Sequence, residues 1–154
     1  MKTITASQPL HKIFIDLTQI GKESDKCMAI VIIDKFTGYS RWFNVSDKSM
    51  GSALDCLHVF IEEINVLVPC EQDGYKPQVI ELNSDNGREF KNNMFHGFCA
   101  RNGIEVHCGK AYHPQSQGVV EHVNRTGKAV ISLLLFEKGL SIKQWGEVLE
   151  EMHC

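Results

Sequence analysis

The chain has 154 residues, 43% of them hydrophobic and 23% charged, and a formal net charge of −3. That length fits one domain, and the balance is that of a soluble globular protein able to bury a core of its own. Its apolar runs are too short to span a bilayer and MKTITASQPLHK lacks a signal-peptide core, so the chain reads as intracellular; the negative total argues against a general nucleic-acid binder.

Residues 1–11 are polar and irregular and read as a flexible lead-in, with the domain proper over 12–154. Lys12–Thr18 predicts a strand containing Asp16. Met28–Phe36 is β-branched and nearly continuous in apolarity, which predicts a central strand. A turn at Thr37-Gly38-Tyr39 leads into Arg41–Val45, so the first three strands form an antiparallel meander. Asp47 or Ser49 caps a helix to about Val68, with Ala53, Leu54, Leu57, Phe60, Ile61, Ile64 and Leu67 at helical spacing. Val79–Asn83 is a fourth strand, Asn92–Arg101 a helix, and Glu105–Cys108 a fifth strand. Gly109–Gln117 reads as a polar loop. A helix follows from near Gly118 to about Glu137. Gly139 ends it, and Ser141 caps a last helix carrying Trp145, Val148, Leu149 and Met152 on one face. The pattern predicts an α/β fold with a five-stranded mixed sheet, helices on both faces, and strands four and five parallel to strand one.

Six cysteines are scattered without CxxC spacing, which reads as buried free thiols and neither a disulfide framework nor a zinc site. Charge is unevenly spread. Residues 1–85 carry 8 basic and 12 acidic side chains, whereas residues 86–130 carry 6 basic and 3 acidic. The one positive stretch can contact phosphates inside an acidic domain.

Three carboxylates stand out by context. Asp16 interrupts an apolar strand, Asp85 opens a strand-to-helix turn, and Glu121 follows the polar loop at a helix start, with 35 residues between the last two. Open strand ends are where sites form in α/β sheets. Carboxylates with free coordination positions suit Mg²⁺ or Mn²⁺, and two such ions about 3.5–4 Å apart can activate a nucleophile and stabilise the leaving oxygen of a phosphodiester. Each residue also has a plainer reading: a strand-end carboxylate, a turn former, and an acid at a helix N-terminus.

Tyr112-His113-Pro114-Gln115-Ser116-Gln117-Gly118-Val119-Val120-Glu121 closely resembles the active-site loop and helix start of retroviral and retrotransposon integrases. Ser84-Asp85-Asn86-Gly87-Arg88-Glu89-Phe90 resembles the same family's second acidic segment, and the 35-residue gap is similar to its D,D-35-E signature. Ile15-Asp16-Leu17, with Asp34, Phe36 and Tyr39 downstream, resembles its first two strands. The resemblance implies a ribonuclease-H-like fold and a catalytic core that trims a DNA 3′ end and joins it to target DNA. It implies Asp16, Asp85 and Glu121 as catalytic metal ligands for Mg²⁺ or Mn²⁺, two ions when DNA is bound. It implies DNA contacts from Tyr112, Gln117, Asn124, Arg125 and Lys128, for which a solvated helix face is the plainer reading of the last two. It also implies a nuclear site of action in a eukaryotic host and a homodimer through the 49–68 and 141–152 helices, with Trp145, Val148 and Met152 at the contact. Asp34 reads as structural, closing the second strand.

Gly127 departs from the family pattern; a glycine inside a helix costs up to about 1 kcal/mol relative to alanine. No His-His-Cys-Cys zinc segment precedes the core and no basic SH3-like tail follows it, so the chain resembles a core alone, including one captured by a host gene. The alternative function is a domesticated module that binds DNA or protein, or dimerises, without catalysis. A hydrolytic nuclease on the same sheet is the third reading.

Overall fold

The computed structural model describes residues 8–45, 50–67, 78–84, 93–108 and 114–153. In chain order these form β1 (Lys12–Ile20), β2 (Cys27–Asp34), β3 (Ser40–Asn44), α1 (Met50–Leu67), β4 (Glu81–Ser84), α2 (Asn93–Arg101), β5 (Glu105–Cys108), α3 (Pro114–Lys138) and a C-terminal 3-10 helix (Ile142–His153). The sheet order is β3-β2-β1-β4-β5. β1 and β2, and β2 and β3, pair antiparallel, whereas β4 lies parallel to β1 and β5 parallel to β4. The expected mixed sheet is therefore the observed one, with the two parallel neighbours placed where the separating helices require crossovers.

Alternation along the strands divides the interior in two. Ile13 and Ile15 of β1, with Ile30 and Ile32 of β2, face a core built with Ala53, Leu57, Phe60 and Ile64 of α1 and with Phe95 and Cys99 of α2. Phe14 of β1, with Val31 and Ile33 of β2 and Trp42 of β3, faces a second core built with Ile131 and Leu135 of α3 and Trp145 and Val148 of the 3-10 helix. Cys27, Cys56 and Cys99 are buried thiols in no disulfide, and burial pushes the Cys56 thiol up to about 11. Among the described residues no helix is long and apolar enough to cross a membrane.

Several expectations change. Leu10, assigned to the loose lead-in, is fully buried in the first core, and its N–H donates to Asp34 at 3.1 Å. Asp34 is itself fully buried and also accepts from Thr37 Oγ1 at 2.7 Å and Thr37 N–H at 3.3 Å. A buried carboxylate must be hydrogen-bonded, and this one anchors the β2–β3 turn to the start of β1. Leu67 lies 62% exposed at the end of α1, outside the core its spacing predicted. The last helix coils as a 3-10 helix. At its start Gln144 Oε1 accepts the Ser141 N–H at 3.1 Å and the Ser141 hydroxyl at 3.3 Å, the first of these being the reverse half of a capping box. Trp145 and Val148, expected at a dimer contact, are 1% and 0% exposed in the chain's own core and have no surface to offer a partner.

Helix α3 starts at Pro114, inside the expected loop, because proline's fixed φ suits a first turn. Glu121 is consequently about two turns into the helix, away from its N-terminal dipole. Gly127 is not a weakness of this helix. A Cβ there would lie 2.1 Å from Trp42 Cζ2 and 2.7 Å from Trp42 Cε2, so the missing side chain is the notch that receives the indole. At Gly118, on the same helix, a Cβ would meet nothing within 4 Å. Alanine is the better helix former at both positions. Overpacking should nevertheless make Gly127→Ala destabilising by about 1–3 kcal/mol. Gly118→Ala should be neutral or stabilising. Urea unfolding of the two variants checks the contrast.

Candidate functional site

The site is assembled midway along β1, which runs four residues past Asp16 and so makes it no strand-end carboxylate, at the point where the pairing of β1 with β4 stops. Its even-numbered residues face α3: Phe14 packs in the second core, and two residues on Asp16 meets the helix. Asn124 Nδ2 donates to Asp16 Oδ2 at 2.7 Å. Glu121 lies one turn before Asn124 and Lys128 one turn after it, so the three are neighbours along one side of α3. Asp16 and Asn124 are half-buried, Lys128 is half-buried, and Glu121 and Arg125 are exposed. The contact brings the helix that carries Glu121 onto the strand that carries Asp16, although 108 residues separate Asp16 from Asn124.

The parallel pairing of β1 with β4 supplies the second half of the geometry. Its register runs Lys12↔Glu81, Ile13↔Leu82, Phe14↔Asn83, Ile15↔Ser84. It ends one residue before Asp16 on β1 and one residue before Asp85 in the sequence. Asp85 and Tyr112 lie outside the described residues; Gln117 is on the first turn of α3.

Asn124 Oδ1 is buried and has no hydrogen-bond partner among the described residues. Such an atom costs about 1–3 kcal/mol unless something is given to it. It is a hard oxygen acceptor beside the Asp16 carboxylate, with the Glu121 carboxylate one turn away. Oxygen donors of this kind suit Mg²⁺ or Mn²⁺, so the residues present fit a divalent cation. Among the described residues no three His, Cys, Asp or Glu side chains gather into a metal cage.

Sequence reasoning missed the polar pair where the pairing of β1 with β4 begins. Lys12 Nζ lies 3.2 Å from Glu81 Oε1, with the side chains 2% and 4% exposed, and Asn83 Nδ2 donates to the same oxygen at 3.0 Å. Partial burial and the Lys12 charge push the Lys35 ammonium below its usual value, and Glu81 acts against them. A signal was present: a lysine and a glutamate each stand inside an apolar strand, each four residues before an acidic residue, Asp16 and Asp85.

A family model described as integrase core domain matches residues 6–114. The chain is 33% identical over 139 residues to the Gag-Pol polyprotein of woolly monkey sarcoma virus and 35% identical over 129 residues to that of gibbon ape leukemia virus, covering 88% and 81% of this chain. It spans 7% of the length of each of those polyproteins. Among solved structures, the HTLV-2 integrase catalytic core domain in complex with magnesium superposes with a TM-score of 0.69 at 19% identity, covering 93% of this chain and 84% of that one in its trimeric form. A dimeric form of that core matches with a TM-score of 0.68 at 19% identity, over 93% of this chain and 85% of that one. The chain belongs to the integrase core domain family, and it is a retroviral-type integrase catalytic core with the ribonuclease-H-like sheet of those cores.

Asn124→Asp would set a second carboxylate at hydrogen-bond distance from Asp16. Like charges raise the folded-state pKa of the pair above its unfolded value. The penalty is then absent below the unfolded pKa and grows as pH rises through the folded one. The variant should match its parent near pH 3 and fall progressively behind it toward about pH 7, as followed by thermal unfolding across that range.

Proposed function

We propose that this core performs divalent-metal-dependent phosphodiester chemistry on DNA, trimming a 3′ end and joining it to target DNA, with Asp16, Asp85 and Glu121 as the metal-holding carboxylates. The observation that carries the reading is the Asn124–Asp16 hydrogen bond. It draws two of the three carboxylate-bearing elements together on a strand whose parallel neighbour leads into the third.

Asp16 on a rigid strand and Glu121 on a long helix offer oxygen donors whose separation is held by packing of α3 on the sheet. When bound there, a divalent cation supplies Lewis-acid activation of the attacking oxygen and charge stabilisation at the leaving one. The chain's own part is positional. Asn124 orients the Asp16 carboxylate through its amide, and its free Oδ1 can accept from a donor or contribute an oxygen. Exposed Arg125 and half-buried Lys128 extend the same side of α3 and meet the phosphates of a DNA end. Tyr112 and Gln117 complete that contact in this reading. The alternative of a non-catalytic module drew on Gly127 as a flaw in α3 and on the acidic overall charge, and the Trp42 notch removes the first of these supports.

Asp16→Asn and Glu121→Gln should each abolish disintegration of a branched DNA substrate with Mn²⁺ and remove the heat of Mn²⁺ binding in calorimetry, while leaving the unfolding transition in place. Activity that survives either substitution would defeat the assignment.

The reading includes a homodimer. Val59, Val66 and Leu67 of α1 are 40%, 84% and 62% exposed, and they border a groove shared with Tyr39 and Arg41 at the edge strand and with Met152. Arg41 Nη1 lies 2.6 Å from Glu63 Oε1 and Tyr39 donates to Glu63 at 3.2 Å, which makes the groove wall rigid. A second copy of the chain is the proposed occupant, in line with the dimeric form of the HTLV-2 core. Val59→Glu with Val66→Glu should shift sedimentation to the monomer without lowering the melting midpoint.

A further inference from the structure

Strand β4 does not carry enough apolar pattern to fix its own register. Of its residues Glu81–Ser84, only Leu82 is apolar, and the segment leading into it adds Val79 alone to the same core. Leu82 faces the first core together with Ile13 and Ile15, which stand two residues apart on β1. A slip by one residue would turn Leu82 out of the core and is excluded by burial. A slip by two residues keeps every β4 side chain on its present face. Apolar burial therefore discriminates weakly against it. Such a slip would carry the chain beyond Ser84 about 7 Å along Asp16's strand.

The ion pair does discriminate. Lys12 and Glu81 are direct register partners, 3.2 Å apart and almost fully buried on the face that also carries Asp16. After a two-residue slip both charges would stand buried and unpaired, which is among the least favourable arrangements a protein interior offers. Asn83, two residues on in the same strand, donates its amide to the same glutamate oxygen and holds that carboxylate in place.

We propose that Lys12 and Glu81 are a register lock, positioning residues that hold β4 against β1 and thereby set the offset between Asp16 and the chain leaving Ser84. The register itself stands on the strand geometry; its consequence for metal binding rests on the function proposed above. Buried ion pairs contribute little net stability, and well-packed apolar replacements are often neutral or stabilising. Stability and positioning therefore separate experimentally.

The test compares the parent with Lys12→Met/Glu81→Leu and with the charge-swapped Lys12→Glu/Glu81→Lys. Cross-strand proton contacts by NMR read the register, thermal melting reads stability, and water-proton relaxation reads Mn²⁺ affinity. The apolar pair should melt at or above the parent midpoint, show a second set of β1–β4 contacts beside Ile13–Leu82, and bind Mn²⁺ about tenfold more weakly. The swapped pair should restore the single contact set and the parental affinity. A single parental contact set in the apolar pair overturns the lock, as does a folded swap that fails to restore it. Should the apolar chain not fold, the swap decides alone. Should the parent bind no Mn²⁺, or Asp16→Asn leave binding unchanged, the metal reading fails while the contact sets still decide the register.

Discussion

Helix α3 lies as close to the sheet as it does because residue 127 has no side chain. The Trp42 indole occupies the space a Cβ would need, and the helix settles onto β3 and β2 around it. Close packing of this kind is stiff, since interiors are as dense as organic crystals. The helix is thereby held at a fixed height and rotation by a contact about one turn after Asn124 and nearly two turns after Glu121. The hydrogen bond from Asn124 to Asp16, and with it the seating of the Glu121 helix on β1, depends on that docking.

The buried charged groups among the described residues follow one rule: each is buried where it fixes a connection. Asp34 is fully buried and takes its hydrogen bonds from Leu10 and from the turn that joins β2 to β3. Lys12 and Glu81 are buried on the two parallel strands whose ends approach the site. Burying charges is costly, and it persists where the partner geometry is good. All three residues lie beside the amino end of β1, a few residues before Asp16. Alignment is set where the pairing of β1 with β4 begins and used where that pairing stops.

Strand and helix identities were legible in the sequence because they are written in local periodicity. Period-two apolar alternation and β-branched runs marked β1 through β3, and the 3.6-residue spacing of Ala53, Leu57, Phe60 and Ile64 marked α1. Asp16 and Glu121 were legible as oddities of context, an acid in an apolar strand and an acid after a polar loop. What depends on contact between distant segments was not legible. Nothing local distinguishes Gly127 as a notch from Gly127 as a defect, because the deciding atom belongs to Trp42, far earlier in the chain. The same holds for Leu10, which looks like part of a loose leader until Asp34 is seen to receive its N–H. Trp145 and Val148 had the amphipathic spacing of a docking face, and spacing alone does not say whether the partner is the chain's own sheet or another copy. The extra turn of α3 was hidden by its polarity: Pro114 to Gln117 read as a loop by composition, whereas the proline starts the helix.

The account stands or falls on whether Asp16 and Glu121 share a divalent cation. Anomalous scattering from a crystal soaked in Mn²⁺ addresses that most directly. A manganese peak within coordination distance of an Asp16 oxygen, with a Glu121 oxygen or a bridging water on its other side, is the predicted result. Manganese found only at unrelated surface carboxylates, with the Asn124–Asp16 contact undisturbed and the Glu121 side chain turned away, would contradict it.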